Sequence, residues 1–277
     1  MVNPGRQKQK LKIEIRHEGK PIVIENKEHI KVLGVKIDQN LNWKKQVNAV
    51  KRNSMNSIRN LNRINSLLPV NLRIQLYKTL IEPIFSYADV AWGGCGTVTS
   101  NNLQLAQNFA ARSILGMRKS DSATAALKHL KFLNLKQRRT VHETVFTHKS
   151  ITNLHPDSIN YIYQQQQSKS NTRGAASGKL NIPRHKTAKY EQCPLYRSIT
   201  SWNAAPTSLT KDSVKKHKTA LQQHLLHITH HAAPTTLTQH RAAPKHHQSH
   251  THRIRAAPTT LKEHNAALTP QQLPSTH

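Results

Sequence analysis

Acidic residues are scarce in this chain: 13 Asp and Glu face 42 Lys and Arg, giving a formal net charge of +29 over 277 residues. Such a chain repels itself unless a polyanion neutralises it. Nucleic acid is the commonest partner of that kind, with an anionic membrane surface as the runner-up. Aromatic residues make up 5 % and apolar residues 36 %. A core is therefore possible but not generous, and part of the chain is expected to stay unfolded. The two cysteines, Cys95 and Cys193, are far apart and form neither a CxxC nor a zinc-knuckle spacing. That excludes a disulfide framework and a cysteine-based zinc site, and suits a reducing compartment, nuclear or cytoplasmic rather than secreted. Long hydrophobic runs are missing too. The most apolar stretch, Leu80 to Trp92, is short and carries Glu82, Pro83 and Asp89, so it cannot span a bilayer. Met1 to Lys12 is polar and basic, without the apolar segment of a signal peptide.

What is present changes character along the chain. Residues 1–41 read as strands. Lys10 to Ile15 alternates polar and apolar residues, His17 to Pro21 has turn chemistry, and Ile22–Ile24 and Val32–Ile37 are β-branched runs. A small antiparallel sheet of three strands fits them. Residues 42–151 read as a helical bundle. Trp43, Val47, Val50, Ile58, Leu61, Ile64 and Leu68 fall mostly three or four steps apart, on one helical face. Asn40 or Asn42 is placed to cap that helix, and Pro69 to stop it. A second helix, with Leu72, Leu76, Leu80 and Ile84 at i+4 spacing, is expected to kink or split at Pro83 and to end at Gly93-Gly94. Further helical segments are expected over 102–115, 123–130 and 135–151. Residues 152–226 are an irregular distal segment, loop-like to 192, with a turn at Trp202-Asn203 and a last helix over 213–226. From about His227 the chain is low in complexity. Ala-Ala-Pro recurs at 204–206, 232–234, 242–244 and 256–258 amid Thr and His, and the tail is expected to be disordered. The fold class is α+β, mostly α.

Five short segments carry a resemblance, in order. Val32-Leu-Gly-Val-Lys-Ile-Asp38 with Leu41-Asn-Trp43 is similar to the "YLGV-x-hD…L-x-W" segment of non-LTR (LINE-type) retrotransposon reverse transcriptases. Leu76-Tyr77, Pro83, Tyr87 and Val90-Ala-Trp92-Gly93 resemble that family's "LY…P…Y…VWG". Leu105-Ala-Gln107 with Ala110 and Arg112 resembles its "LQ-x-x-x-A-x-R" helix. Thr172-Arg173, Leu180, Pro183, Trp202-Asn203 and Pro206 resemble its distal "TR…L…P…WN…P". Ser213-Val214, Lys218 and Leu221 resemble its closing segment. The chain departs from the pattern in four places. Val32 stands for the first tyrosine, His217 for the closing aromatic, and Arg6 and Gln7 for the Lys-Thr of an upstream "NP-x-KT". The resemblance implies the end of a palm at 1–41, a thumb-like bundle at 42–151, and a reverse transcriptase truncated after its catalytic motif. The alternative is a decayed reading frame with only polycation affinity.

Polymerisation needs clustered carboxylates to hold two metal ions, and no two acidic residues of this chain are adjacent. The chain is therefore not expected to be an enzyme. Tyr87-Ala88-Asp89-Val90 imitates part of a "YADD" box, but its second carboxylate is a valine and its context is helical. Tyr87 and Trp92 are read as core, and Asp89 as a surface or capping residue. The expected nucleic-acid contacts are Lys44, Lys45, Lys51, Arg52, Arg59 and Arg63 on the first helix, with Arg112, Arg138 and Arg139, and more weakly Arg118 and Lys119, beyond it. Trp43, Trp92 and Trp202 are read as core rather than as stacking platforms. The histidines crowding the region from His217 onward lack a fixed ligand geometry, so neither metal nor cofactor is expected. The expected partner is RNA or DNA without sequence preference, and no membrane.

Overall fold

The computed structural model describes residues 13–17, 20–24, 28–167, 174, 178–209 and 213–231. Two antiparallel hairpins come first: β1 (Ile13–His17) with β2 (Lys20–Ile24), and β3 (His29–Val32) with β4 (Val35–Asp38). They form two separate two-stranded sheets and not one sheet of three. The β-branched run Val32–Ile37 hides a turn: Leu33 and Gly34 have φ of 45° and 85°. Two positive φ values in succession make the two-residue loop whose twist suits a hairpin. Leucine adopts that conformation reluctantly, and Tyr87 braces it by donating its hydroxyl to the Leu33 carbonyl at 2.6 Å. Tyr87 is therefore 57 % exposed and is a strut under the hairpin, not the core residue expected.

β4 leads into α1 (Lys44–Ile64), and the junction is held by Asp38. Neither Asn40 nor Asn42 caps the helix. The Asp38 carboxylate accepts from the amides of Asn40 at 3.1 Å, Asn42 at 3.0 Å and Trp43 at 2.9 Å. Burial would push this carboxyl up, but the three donors and the Lys189 charge outweigh it and hold it below its usual value. The inner side of α1 is Gln46, Val47, Val50, Ser54, Ile58 and Leu61. Ile64 is exposed instead of joining them, and Asn65 turns inward to donate to the Ser113 carbonyl.

α2 (Val70–Leu76) continues through a π-helical turn at Tyr77–Ile81 into α3 (Glu82–Ser86). The wide turn lies just before Pro83, which has no amide hydrogen to donate and clashes with the preceding turn. The buried ladder is one residue out from the expected one. Tyr77, Ile81 and Phe85 face the core, while Leu72 and Leu80 are 45 % and 60 % exposed. Both ladders have i+4 spacing, and the one with the aromatic rings is buried, with Tyr77 stacked on Phe132 at 4.8 Å. The helix also stops short of Gly93-Gly94. Ala88, at φ 52°, breaks it before a single turn, α4 (Asp89–Trp92).

α5 (Thr97–Leu115), α6 (Ala123–His129) and α7 (Leu135–Ile151) follow. Ser122 caps α6, and Asn134 with Gln137 forms a reciprocal capping box on α7. α8 (Asp157–Gln164) and α9 (Pro194–Ala204) occupy the stretch expected to be irregular, and Trp202-Asn203 belongs to the last turn of α9. α10 (Val214–His231) runs past His227, the expected start of the tail. The tail from 232 lies outside the described residues, as do the Thr172 and Arg173 of the distal segment. The main core lies among α1, α2–α3, α5 and α6, and two smaller clusters pack on α7 from α8–α9 and from α10. The described chain is α+β and mostly α.

Candidate nucleic-acid interface

α1 has 21 residues and no acid among them. Seven residues are nearly two turns of a helix, so Lys45, Arg52 and Arg59 stand in line, and Arg63 joins them one turn on. The row covers roughly 27 Å of helix at 1.5 Å per residue. It runs along the back of α1, opposite Val47, Val50, Ser54, Ile58 and Leu61, and not around the rim of that apolar stripe as the spacing first suggests. Lys44 and Lys51 lie between the two sides, with Lys44 exposed and Lys51 half-buried. Lys45 is paired with Glu28 at 3.1 Å and lies 2.9 Å from His29 Nδ1. Arg59 donates to Asn56 Oδ1 at 3.3 Å. Among the described residues, Lys44, Lys51, Arg52, Arg59 and Arg63 make no ion pair.

One further cation reaches the residues just ahead of this helix, and it belongs to a basic run missed from sequence. Arg184, Lys186 and Lys189 are exposed, and Lys189 Nζ reaches the Asn40 carbonyl just ahead of α1. The available signal was the basic run from 184 to 189, with no acid before Glu191.

The other sequence candidates do not join the row. Arg112 is half-buried and donates to the Asp121 carbonyl at 3.4 Å. Arg138 is ion-paired with Glu82. Arg139 is 7 % exposed, with its guanidinium 5.1 Å from the Trp92 ring, and burial draws it below its usual pKa. These three hold helices together. Arg118 and Lys119 are exposed in the turn after α5. Trp92 and Trp202 are core, and Trp43 is half-buried at the head of α1.

Asp89 is neither a surface nor a capping residue. It is 3 % exposed and bonded to His142 Nδ1 at 2.7 Å. Close by, Arg197 Nη2 pairs with Glu143 Oε1 at 3.1 Å and donates to the Val90 carbonyl at 2.5 Å, while Ser201 donates to Glu143 Oε2 at 2.7 Å. Gly93-Gly94 permits this crossing of α4 and α9, since a Cβ on Gly94 would collide with the Gln192 carbonyl and the Arg197 guanidinium. A cavity of about 790 Å³ opens beside it, bordered by the start of α5, one side of α7 and α9. Among the described residues, no group of three or more His, Cys, Asp or Glu is placed to hold a metal ion, and no helix is long and apolar enough to cross a membrane.

The chain matches no family model, and no curated protein and no solved structure matches it either.

Proposed function

We infer that the chain is a reverse-transcriptase-like protein of a non-LTR retroelement that binds nucleic acid without sequence preference along the outer side of α1. One observation carries the binding: a row of cations about 27 Å long, on a helix without acids, standing opposite the core. A rigid row loses less conformational entropy on meeting phosphates than a flexible segment does. The ordered sequence segments from Val32 to Leu221 support the family, and the lack of any adjacent acidic pair supports binding without polymerisation.

The test is a salt titration. Each phosphate neutralised adds roughly 0.9 to the log–log salt slope on duplex DNA. Arg52→Glu, Arg59→Glu and Arg63→Glu together should therefore flatten the slope by about 2–3. Residues 232–277 hold only five Lys and Arg, so deleting them should change it less. If the deletion removes most of the slope and the helix variant binds like the parent, non-specific polycation binding is the better account.

A further inference from the structure

Three rings stand together just ahead of α9 and on its first turn. A 3-10 turn at Tyr190–Gln192 leads into that helix. The His185 ring lies 5.7 Å from that of Tyr190, with the planes 15° apart, and 4.9 Å from that of Tyr196 at 77°. The two tyrosine rings are 6.4 Å apart. Tyr77, Phe132, Tyr163 and Trp202 make their ring contacts within the apolar clusters, but neither Tyr190 nor Tyr196 belongs to any of these. Both tyrosines are half-buried, so core packing does not account for the group. A second observation is charge. Arg184 and Lys186 stand on either side of His185 in the chain, Lys189 directly precedes Tyr190, and all three cations are exposed. Among the described residues, Arg184 and Lys186 make no ion pair. Glu191, the carboxylate beside the rings, is engaged by His185 Nε2 at 3.1 Å.

We propose that His185, Tyr190 and Tyr196, with Arg184, Lys186 and Lys189, form a site for single-stranded nucleic acid. An unpaired base stacks on the ring cluster, with Tyr190 as its main platform, and the flanking cations take the neighbouring phosphates. Every base has a flat π-face, so stacking of this kind is indifferent to sequence. A duplex keeps those faces against one another and offers such a site only its phosphates. Rings interleaved with cations therefore select an unpaired strand, which a row of cations alone does not. The site rests on the nucleic-acid reading and narrows it to unpaired strands, but it does not use the cations of α1.

Fluorescence anisotropy of the full chain tests it with labelled probes of equal length: oligo-dT, an abasic strand that keeps the phosphates without the bases, and a blunt duplex. The chain should bind oligo-dT roughly fivefold or more tightly than the abasic strand. Tyr190→Leu keeps apolar bulk but removes the ring. It should erase that preference and leave abasic and duplex binding as in the parent, while Tyr190→Phe should retain the preference. The thermal midpoint checks that both variants fold. Should Tyr190→Leu lower it, the exposed pair Arg184→Gln and Lys186→Gln gives a second measurement. Each phosphate contributes roughly 0.7 to the salt slope on a single strand, so the slope on oligo-dT should fall by about 1.4. The triple α1 variant should lose duplex affinity yet keep the preference for oligo-dT over the abasic strand, so the two readings fail separately. Oligo-rU in place of oligo-dT identifies whether RNA or DNA is the better ligand. Equal binding of oligo-dT and the abasic strand, a preference that survives in folded Tyr190→Leu, or an unchanged slope in the paired variant overturns the proposal.

Discussion

His217 is fully buried, its ring 5.1 Å from that of His148 and 5.5 Å from Trp202. Neither its burial nor its neighbour on α7 was legible in the sequence, because a contact between residues 148 and 217 leaves no local pattern. His217 Nδ1 lies 2.8 Å from the Leu209 carbonyl and so carries the hydrogen, while His217 Nε2 and His148 Nδ1 have no partner. Burial, and after it the nearby His217, draws His148 below its usual pKa. An unfolded histidine titrates near 6.5, so the unfolded chain takes up this proton first as pH falls. The stabilisation is complete above about pH 6.5 and is lost as pH drops towards the lower folded value. Thermal melts between about pH 7.5 and 5.5 should show the parent losing stability. The His217→Phe variant should lose less, by a few degrees in Tm. An equal loss in both would show that the pair does not couple to pH.

Among the elements, α6 and α7 were the most legible, since Ser122 and the Asn134–Gln137 box mark their starts in the sequence itself. α8 and α9 were not. α8 is only eight residues long and ends in a glutamine run, and α9 begins at Cys193-Pro194, where the thiol accepts the Tyr196 amide at 3.4 Å, an unusual cap. The cations of α1 were legible as residue types, but the side of the helix they occupy depends on which residues are buried. Arg138 looked no different from them, because its partner Glu82 is 56 residues away. On α2–α3 the two i+4 ladders are distinguished only by packing. Ile81, 1 % exposed, should cost roughly 2–5 kcal/mol on replacement by alanine, and Leu80→Ala should stay within about 0.5 kcal/mol. Denaturant unfolding of the two variants measures both, and the opposite ranking would restore the ladder read from sequence.

In the molecule as a whole, four of the described acids are committed to architecture. Asp38 ties down the head of α1, Glu82 holds Arg138, Asp89 holds His142, and Glu143 holds Arg197. Phosphoryl transfer by two metal ions would instead need carboxylates gathered at one point. Purified chain should accordingly give no primer extension with magnesium or manganese on a primed template. Template-dependent extension that survives Asp89→Asn would show that carboxylates elsewhere do the chemistry, and its loss in that variant would return the role to Asp89. α1 carries a further consequence for the lineage of this protein. Its cations and its apolar residues occupy opposite sides of one rod, so surface charge and fold answer to different codons. Asn48, Asn56 and Asn60 are also exposed on α1, and exchanging them for lysine or for acids would retune the charge of that side while Val47, Ile58 and Leu61 keep the bundle closed. Selection on surface charge can therefore proceed by single steps, without passing through a destabilised ancestor.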